Sequence, residues 1–190
     1  MNNQQREYEA KIILNDCHEL GPVEERLERL GAEPQEEVVE EDTYYQHPCR
    51  DFAETDEALR LRRSRATELT YKGPKKHAGQ GVKARLEINI PLPPGSADTV
   101  DELLRLLGFH PVAVVRKRRR YYRLGDVSVT LDEVEGLGCF VEIEYSGPPG
   151  RDPVKAIEEA AEKLGLSGRP RTTKSYLEML LEKNAARTAN

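Results

Sequence analysis

Charged side chains recur at every second position in several separate stretches of this chain, and that spacing constrains its fold more than any other feature. Glu7, Glu9 and Lys11 alternate with Tyr8, Ala10 and Ile12; Arg60 and Arg62 with Leu59 and Leu61; Glu142 and Glu144 with Val141 and Ile143. Lys83, Arg85 and Glu87 oppose Leu86 and Ile88, Lys72 opposes Tyr71, and Asp132 opposes Leu131. Residues two apart in an extended strand share a face, so each stretch predicts a strand with one charged and one apolar side. The reading gives eight strands, near 7–14, 40–45, 58–63, 68–72, 83–90, 114–123, 127–134 and 139–145.

Helical periodicity fills the gaps. Segments 22–30, 97–107 and 153–164 carry apolar stripes, and each stops at a Leu-Gly pair, Gly31, Gly108 or Gly165, as a helix C-terminus prefers. Pro22 and Pro153 suit the first helical position, and Asp152 suits a cap for the second of these helices. A fourth helix is predicted near 175–186. In order, the elements read strand, helix, three strands, and again strand, helix, three strands. That duplicated plan predicts an α+β domain in which two interlocking halves contribute to one eight-stranded antiparallel barrel or strongly curved sheet. Gly125-Asp126 marks a two-residue hairpin, and 73–81 is a loop of Gly, Pro and Lys between the halves.

At 190 residues the chain suits one domain, with a core near 7–176 and a C-terminal helix and tail over 175–190. Its 33% charged and 37% hydrophobic residues fit a soluble globular protein, and no apolar run approaches a membrane span. The polar start at Met1 shows no secretory signal, so a cytoplasmic location is expected. The formal charge of -5 offers no general attraction to nucleic acid or anionic lipid, and neither is expected as a partner. Cys17, Cys49 and Cys139 lack metal or redox spacing and read as free buried thiols.

The charged faces allow two arrangements: an open sheet with its charges in water, or a closed one with them inside. Sorting by sign favours the second. Glu7/Glu9 and Glu142/Glu144 place carboxylates side by side, which repel unless a cation joins them. Oxygen-only clusters suit Mg2+ or Mn2+. Lys11, Arg60, Arg62, Lys72, Arg85, Lys117 and Arg119 would face them, and a polyphosphate carrying a divalent ion would satisfy both sets. Glu87 and Lys83 are possible additional members.

The run Glu7-Tyr8-Glu9-Ala10-Lys11 resembles the E-x-E-x-K signature of the CYTH superfamily, the triphosphate tunnel metalloenzymes. Asp42-Thr43-Tyr44-Tyr45, Ala58-Leu59-Arg60-Leu61-Arg62, Thr70-Tyr71-Lys72-Gly73-Pro74, Arg85-Leu86-Glu87, Lys117-Arg118-Arg119 and Leu131-Asp132 through Glu142-Ile143-Glu144 extend the match in order. His47-Pro48-Cys49-Arg50-Asp51-Phe52 is similar to the class IV adenylyl cyclase branch. Asn89 stands where related families often carry a second acid after Glu87.

The resemblance implies a closed tunnel, with Glu7, Glu9, Asp132, Glu142 and Glu144 holding Mg2+ or Mn2+ and the seven basic residues binding phosphates. It implies an enzyme converting ATP to cyclic AMP and pyrophosphate. Alternatives are a triphosphatase for inorganic or organic triphosphates, or a non-catalytic polyphosphate or nucleotide-binding module. A homodimer is also plausible on family grounds.

No base reader is evident, and no general base stands out; Lys72, Tyr44 and Tyr45 are weak candidates. Within 116–123, strand parity sends Lys117 and Arg119 to the phosphate side and Arg116, Arg118 and Arg120 outward. The acidic approach at 36–42 reads as a solvated surface.

Overall fold

A computed structural model describes residues 6–188. Met1 to Gln5, which bear on the leader reading, and the last two residues of the tail lie outside that range. The elements run β1 (Arg6–Ile13), α1 (Leu20–Arg29), β2 (Glu33–Gln46), β3 (Ala58–Arg63), β4 (Thr67–Lys72), β5 (Lys76–Gly79), β6 (Val82–Leu92), α2 (Ala97–Leu106), β7 (His110–Leu124), β8 (Val127–Val134), β9 (Gly138–Tyr145), α3 (Pro153–Lys163), β10 (Arg171–Thr172) and α4 (Tyr176–Thr188).

Eight antiparallel strands close on themselves in the order β1-β9-β8-β7-β2-β3-β4-β6, with β6 returning to β1. The two strand-helix-three-strand halves expected from the sequence are present. They interlock because β1 of the first half sits between β9 and β6 of the second. Two short strands add to the plan: β10 beside β1, and β5 beside β6, which puts regular pairing inside the loop expected at 73–81. Leu124 faces Val127 across Gly125-Asp126, the hairpin read from the sequence.

Closure separates the two faces of every strand. Ala10, Ile12, Val129, Leu131, Val141 and Ile143 point outward and are buried under α1 and α3, against Val23, Leu27, Ile157, Ala161 and Leu164. Asp152 caps α3 by accepting from the backbone N–H groups of Val154 and Lys155. Gly165 ends that helix at φ 67°, a left-handed backbone that favours glycine, and the Arg26 guanidinium packs over it to donate to the Leu164 carbonyl. Tyr45 and Leu61 pack under α2 with Ala97 and Leu104. The start of α4 enters one end of the barrel, where Tyr176 is buried with Tyr44, Ala58, Val115, Val134 and Phe140.

The cysteines correct an expectation. Cys17 and Cys139, 122 positions apart in sequence, form a disulfide linking the turn before α1 to the start of β9, and Cys49 is free but exposed, not buried. The free-thiol reading fails because barrel closure, not sequence spacing, brings the two Cα atoms to 5.1 Å. No helix among the described residues is long and apolar enough to cross a membrane.

Candidate active site

The inward faces of the eight strands enclose a cavity of about 210 Å³. Eight cationic side chains line it, Lys11, Arg60, Arg62, Lys72, Lys83, Arg85, Lys117 and Arg119, with seven carboxylates, Glu7, Glu9, Asp42, Glu68, Glu87, Glu142 and Glu144. Register explains the convergence. Glu9 stands opposite Glu144 on β9 and Lys83 on β6, Lys11 opposite Glu142, and Lys72 opposite Glu87. Charged side chains avoid full burial unless paired, so a closed barrel lined this way holds together through compensation or through a ligand.

Two zones differ in how far that compensation goes. In the first, carboxylates are saturated by cations. Asp42 accepts from Arg62 Nε at 2.7 Å and Lys117 Nζ at 2.7 Å. Burial would push the Asp42 carboxyl up, but Lys117, Arg60 and Arg62 hold it well below the usual carboxylate range. Glu142 faces Lys11 at 3.0 Å and also pairs with Arg119; despite burial, Arg119, Lys11 and Lys83 likewise hold it far down. Lys117 is itself lowered by desolvation, so a further anion beside it would be welcome.

In the second zone carboxylates outnumber their partners. Glu7, Glu9, Glu87 and Glu144 crowd around Lys72 and Lys83. Burial, reinforced by Glu7, Glu9 and Glu87, pushes Glu144 up to about 8. Glu7 is raised by desolvation too. The buried Glu7 Oε2 accepts no hydrogen bond, with Lys72 Nζ 3.8 Å away, while Glu9 Oε1 is contacted only by the ammonium groups of Lys83 at 3.1 Å and Lys11 at 3.5 Å. Lys72 pairs with Glu87 and sits 3.8 Å from Glu7; against its burial, these two acids raise it, so it stays a cation.

Crowded carboxylates with an orphaned oxygen fit a hard divalent ion. Among the described residues, no group of three or more His, Cys, Asp or Glu side chains stands placed to hold a metal ion.

Of the residues singled out from the sequence, Lys11, Arg60, Arg62, Lys72, Arg85, Lys117 and Arg119 all line the cavity, as do Glu7, Glu9, Glu87, Glu142, Glu144 and Lys83. Asp132 faces inward but stands behind the wall. It is 0% exposed, receives Arg119 Nε at 2.6 Å and the Tyr176 hydroxyl at 2.7 Å, and holds that arginine in place. Tyr44 lines the cavity. Tyr45 does not: the next residue along β2 faces the other way, and its hydroxyl donates to Asp101 on α2, which removes it as a proton-transfer candidate.

Glu40 and Asp42, expected on a solvated surface, are 2% and 1% exposed and face Lys117 and Arg62. Their parity with Tyr44 was the available signal. Tyr121, Ser128, Thr130, Ser175 and Tyr176 also line the cavity and were not singled out. The outward arginines behave as parity demands: Arg116 pairs with Glu41 at 2.9 Å, Arg118 with Glu37 at 2.8 Å, and Arg120 with Glu24 on α1.

The CYTH domain family matches residues 5–176. The chain belongs to that family. A protein of Methanocaldococcus jannaschii, named only provisionally as an adenylate cyclase, is 34% identical over 177 residues, covering 91% of this chain and 97% of that one. Adenylate cyclase CyaB of Aeromonas hydrophila is 29% identical over 147 residues, covering 74% of this chain and 72% of its own length. Among solved structures, the Pyrococcus horikoshii protein PH1819 is 40% identical, with a TM-score of 0.76 over 93% of this chain and 99% of its own. The closed eight-stranded barrel is the fold of this CYTH family.

Proposed function

We propose that this CYTH protein is a divalent-metal-dependent enzyme acting on a nucleoside triphosphate inside the barrel, and that it converts ATP to cyclic AMP and pyrophosphate. The observation that carries the reading is the pairing of two unlike zones in one cavity. One holds arginines and lysines suited to phosphate oxygens, and the other crowds the carboxylates Glu7, Glu9, Glu87 and Glu144 together, with Glu7 Oε2 buried and without a hydrogen-bond donor. The cyclase names of the Methanocaldococcus and Aeromonas relatives support the choice of reaction.

Arg60, Arg62, Lys117 and Arg119 would hold the outer phosphates, since guanidinium forks and ammonium groups match phosphate oxygens. Asp42, Glu142 and Asp132 keep these cations fixed before substrate arrives, so little reorganisation accompanies binding. Lys72 and Arg85 lie towards the acid-rich zone and would meet the phosphate next to the ribose. Glu7, Glu9 and Glu144 would hold Mg2+ or Mn2+, with Glu142 and Glu87 beside them. When bound, such an ion neutralises phosphate charge and sharpens a hydroxyl as nucleophile. Lys72, held cationic by Glu7 and Glu87, serves as an electrostatic partner of the substrate, not as its general base.

A triphosphatase is the second reading, in which water attacks the terminal phosphorus within the same walls. A Hippeastrum protein of this fold, 19% identical and named only provisionally as an adenylyl cyclase, is described as having a dominant triphosphatase activity. Incubation of purified protein with ATP and Mg2+ or Mn2+, with products resolved by mass spectrometry, separates the readings. Cyclic AMP with pyrophosphate supports the cyclase, and orthophosphate supports the triphosphatase. Tight binding with neither product would reduce the protein to a polyphosphate-binding module.

A further inference from the structure

Among the described residues that line the charged cavity, all but two belong to the eight barrel strands; the exceptions, Ser175 and Tyr176, come from the C-terminal segment. That segment is laid along β1. β10 pairs with β1 so that Thr172 stands opposite Lys11, and the chain then turns into the barrel end at Tyr176, which is 5% exposed. The Tyr176 ring packs edge-on against Phe140, with the centroids 5.0 Å apart.

A side chain that only plugged the barrel end would need apolar bulk and nothing else. Tyr176 makes two further contacts there. Its ring lies under the Lys11 ammonium, with Nζ 4.2 Å from the ring centroid, while the same Nζ donates to the Lys174 carbonyl at 3.2 Å. Its hydroxyl donates at 2.7 Å to Asp132, the acid that takes Arg119 Nε at 2.6 Å. One residue thus supports two cations on different strands, Lys11 on β1 and Arg119 on β7. An aromatic face attracts an ammonium without cancelling its charge as a carboxylate would, so Lys11 keeps its field for an incoming anion. A hydroxyl bonded to Asp132 takes up part of that carboxylate's accepting capacity, so Arg119 is steered but not used up.

We infer that Tyr176 is a positioning residue of the triphosphate site, seating the Lys11 ammonium with its ring and, through Asp132, the Arg119 guanidinium with its hydroxyl. The inference rests on the reading of the barrel as a triphosphate site and adds to it a residue from outside the barrel strands. The cation set is then complete only with the C-terminal segment docked. A flexible lysine stem without its seat would settle on Glu142, 3.0 Å away, or on Glu9 at 3.5 Å, and its charge would be spent there.

Isothermal titration of the full chain with inorganic tripolyphosphate in Mg2+ tests this through two double-mutant cycles. Tyr176→Phe removes the hydroxyl alone and should weaken binding about fivefold. Tyr176→Leu removes the ring as well and should weaken it about thirtyfold. In an Arg119→Ala background the Phe substitution should cost less than about twofold, and in a Lys11→Met background the Leu substitution should cost only the hydroxyl's share, about fivefold. A residue that merely filled the barrel end would weaken binding by the same factor in every background. Equal losses with and without Arg119 and Lys11, or affinities of both Tyr176 variants within about twofold of the parent's, overturn the positioning role and leave the triphosphate reading standing; should the Leu variant not fold, the Phe cycle decides alone. Failure of the unsubstituted protein to bind tripolyphosphate overturns both.

Discussion

Replacing Glu144 by Gln should stabilise the metal-free protein at alkaline pH and do nothing near pH 4.5. Glu144 stands on β9 opposite Glu9, half-buried, with Glu7 and Glu87 nearby, and its carboxyl is raised from 4.5 to about 8. A folded-state pKa above the unfolded one means the folded state binds the proton more tightly. Stability from this group is therefore complete below about pH 4.5 and is lost as pH rises towards 8, because ionising Glu144 adds a further negative charge to the crowd. A shift of that size corresponds to roughly 5 kcal/mol at 1.36 kcal/mol per unit, and water in the cavity reduces it to about 2–3 kcal/mol.

Gln keeps the shape and never ionises. Thermal unfolding in EDTA should show the variant about 4–12 °C above the parent at pH 9, with the two curves meeting near pH 4.5. Saturating Mn2+ should reverse the order at pH 9, since the parent gains a ligand that the variant lacks. A difference independent of pH, or a less stable variant at pH 9 without metal, would refute the reasoning.

Other expectations follow from the same geometry. Arg119→Ala strips a cation from the cavity and leaves Asp132 unpaired, so turnover should fall by at least about a hundredfold, whereas Arg118→Ala, one residue along and facing outward, should retain it; equal effects in a steady-state assay would mean the register of β7 is wrong. Asp42→Asn leaves Lys117, Arg60 and Arg62 without their shared anion and should cost about 3–5 kcal/mol in urea unfolding, with part regained on adding tripolyphosphate. Cys17→Ser removes the disulfide to Cys139 and should lower stability by about 2–4 kcal/mol while preserving turnover at moderate temperature, checked by unfolding with and without reductant.

Much of the barrel was legible because the strand repeat is two residues and the charges obey it. Glu7, Glu9 and Lys11, or Arg60 and Arg62, declare a common face from spacing alone, and closure only decides that the face is inside. The same rule misled where composition was allowed to override it. Glu40 and Asp42 looked like a solvated acidic stretch, yet their parity with Tyr44 sends them inward to Lys117 and Arg62. Tyr45 was a candidate by proximity in sequence, but its parity puts it under α2.

Asp132 shows a different limit. Its face was read correctly, but whether an inward acid reaches the cavity or supports Arg119 from behind depends on depth along a tilted strand, which alternation does not encode. The Cys17–Cys139 bond and the packing of Tyr176 on Tyr44 and Ala58 at the barrel end join segments more than a hundred residues apart. They are consequences of closure, and no local pattern announces them.

The most direct test of the central claim is a crystal structure of the protein with Mn2+ and α,β-methylene ATP, with the metal located by anomalous scattering. The account predicts manganese against Glu7, Glu9 or Glu144 inside the barrel and phosphates against Arg60, Arg62, Lys117 and Arg119. Manganese and phosphates bound on the outer surface, with the barrel interior still closed by its own ion pairs, would contradict it.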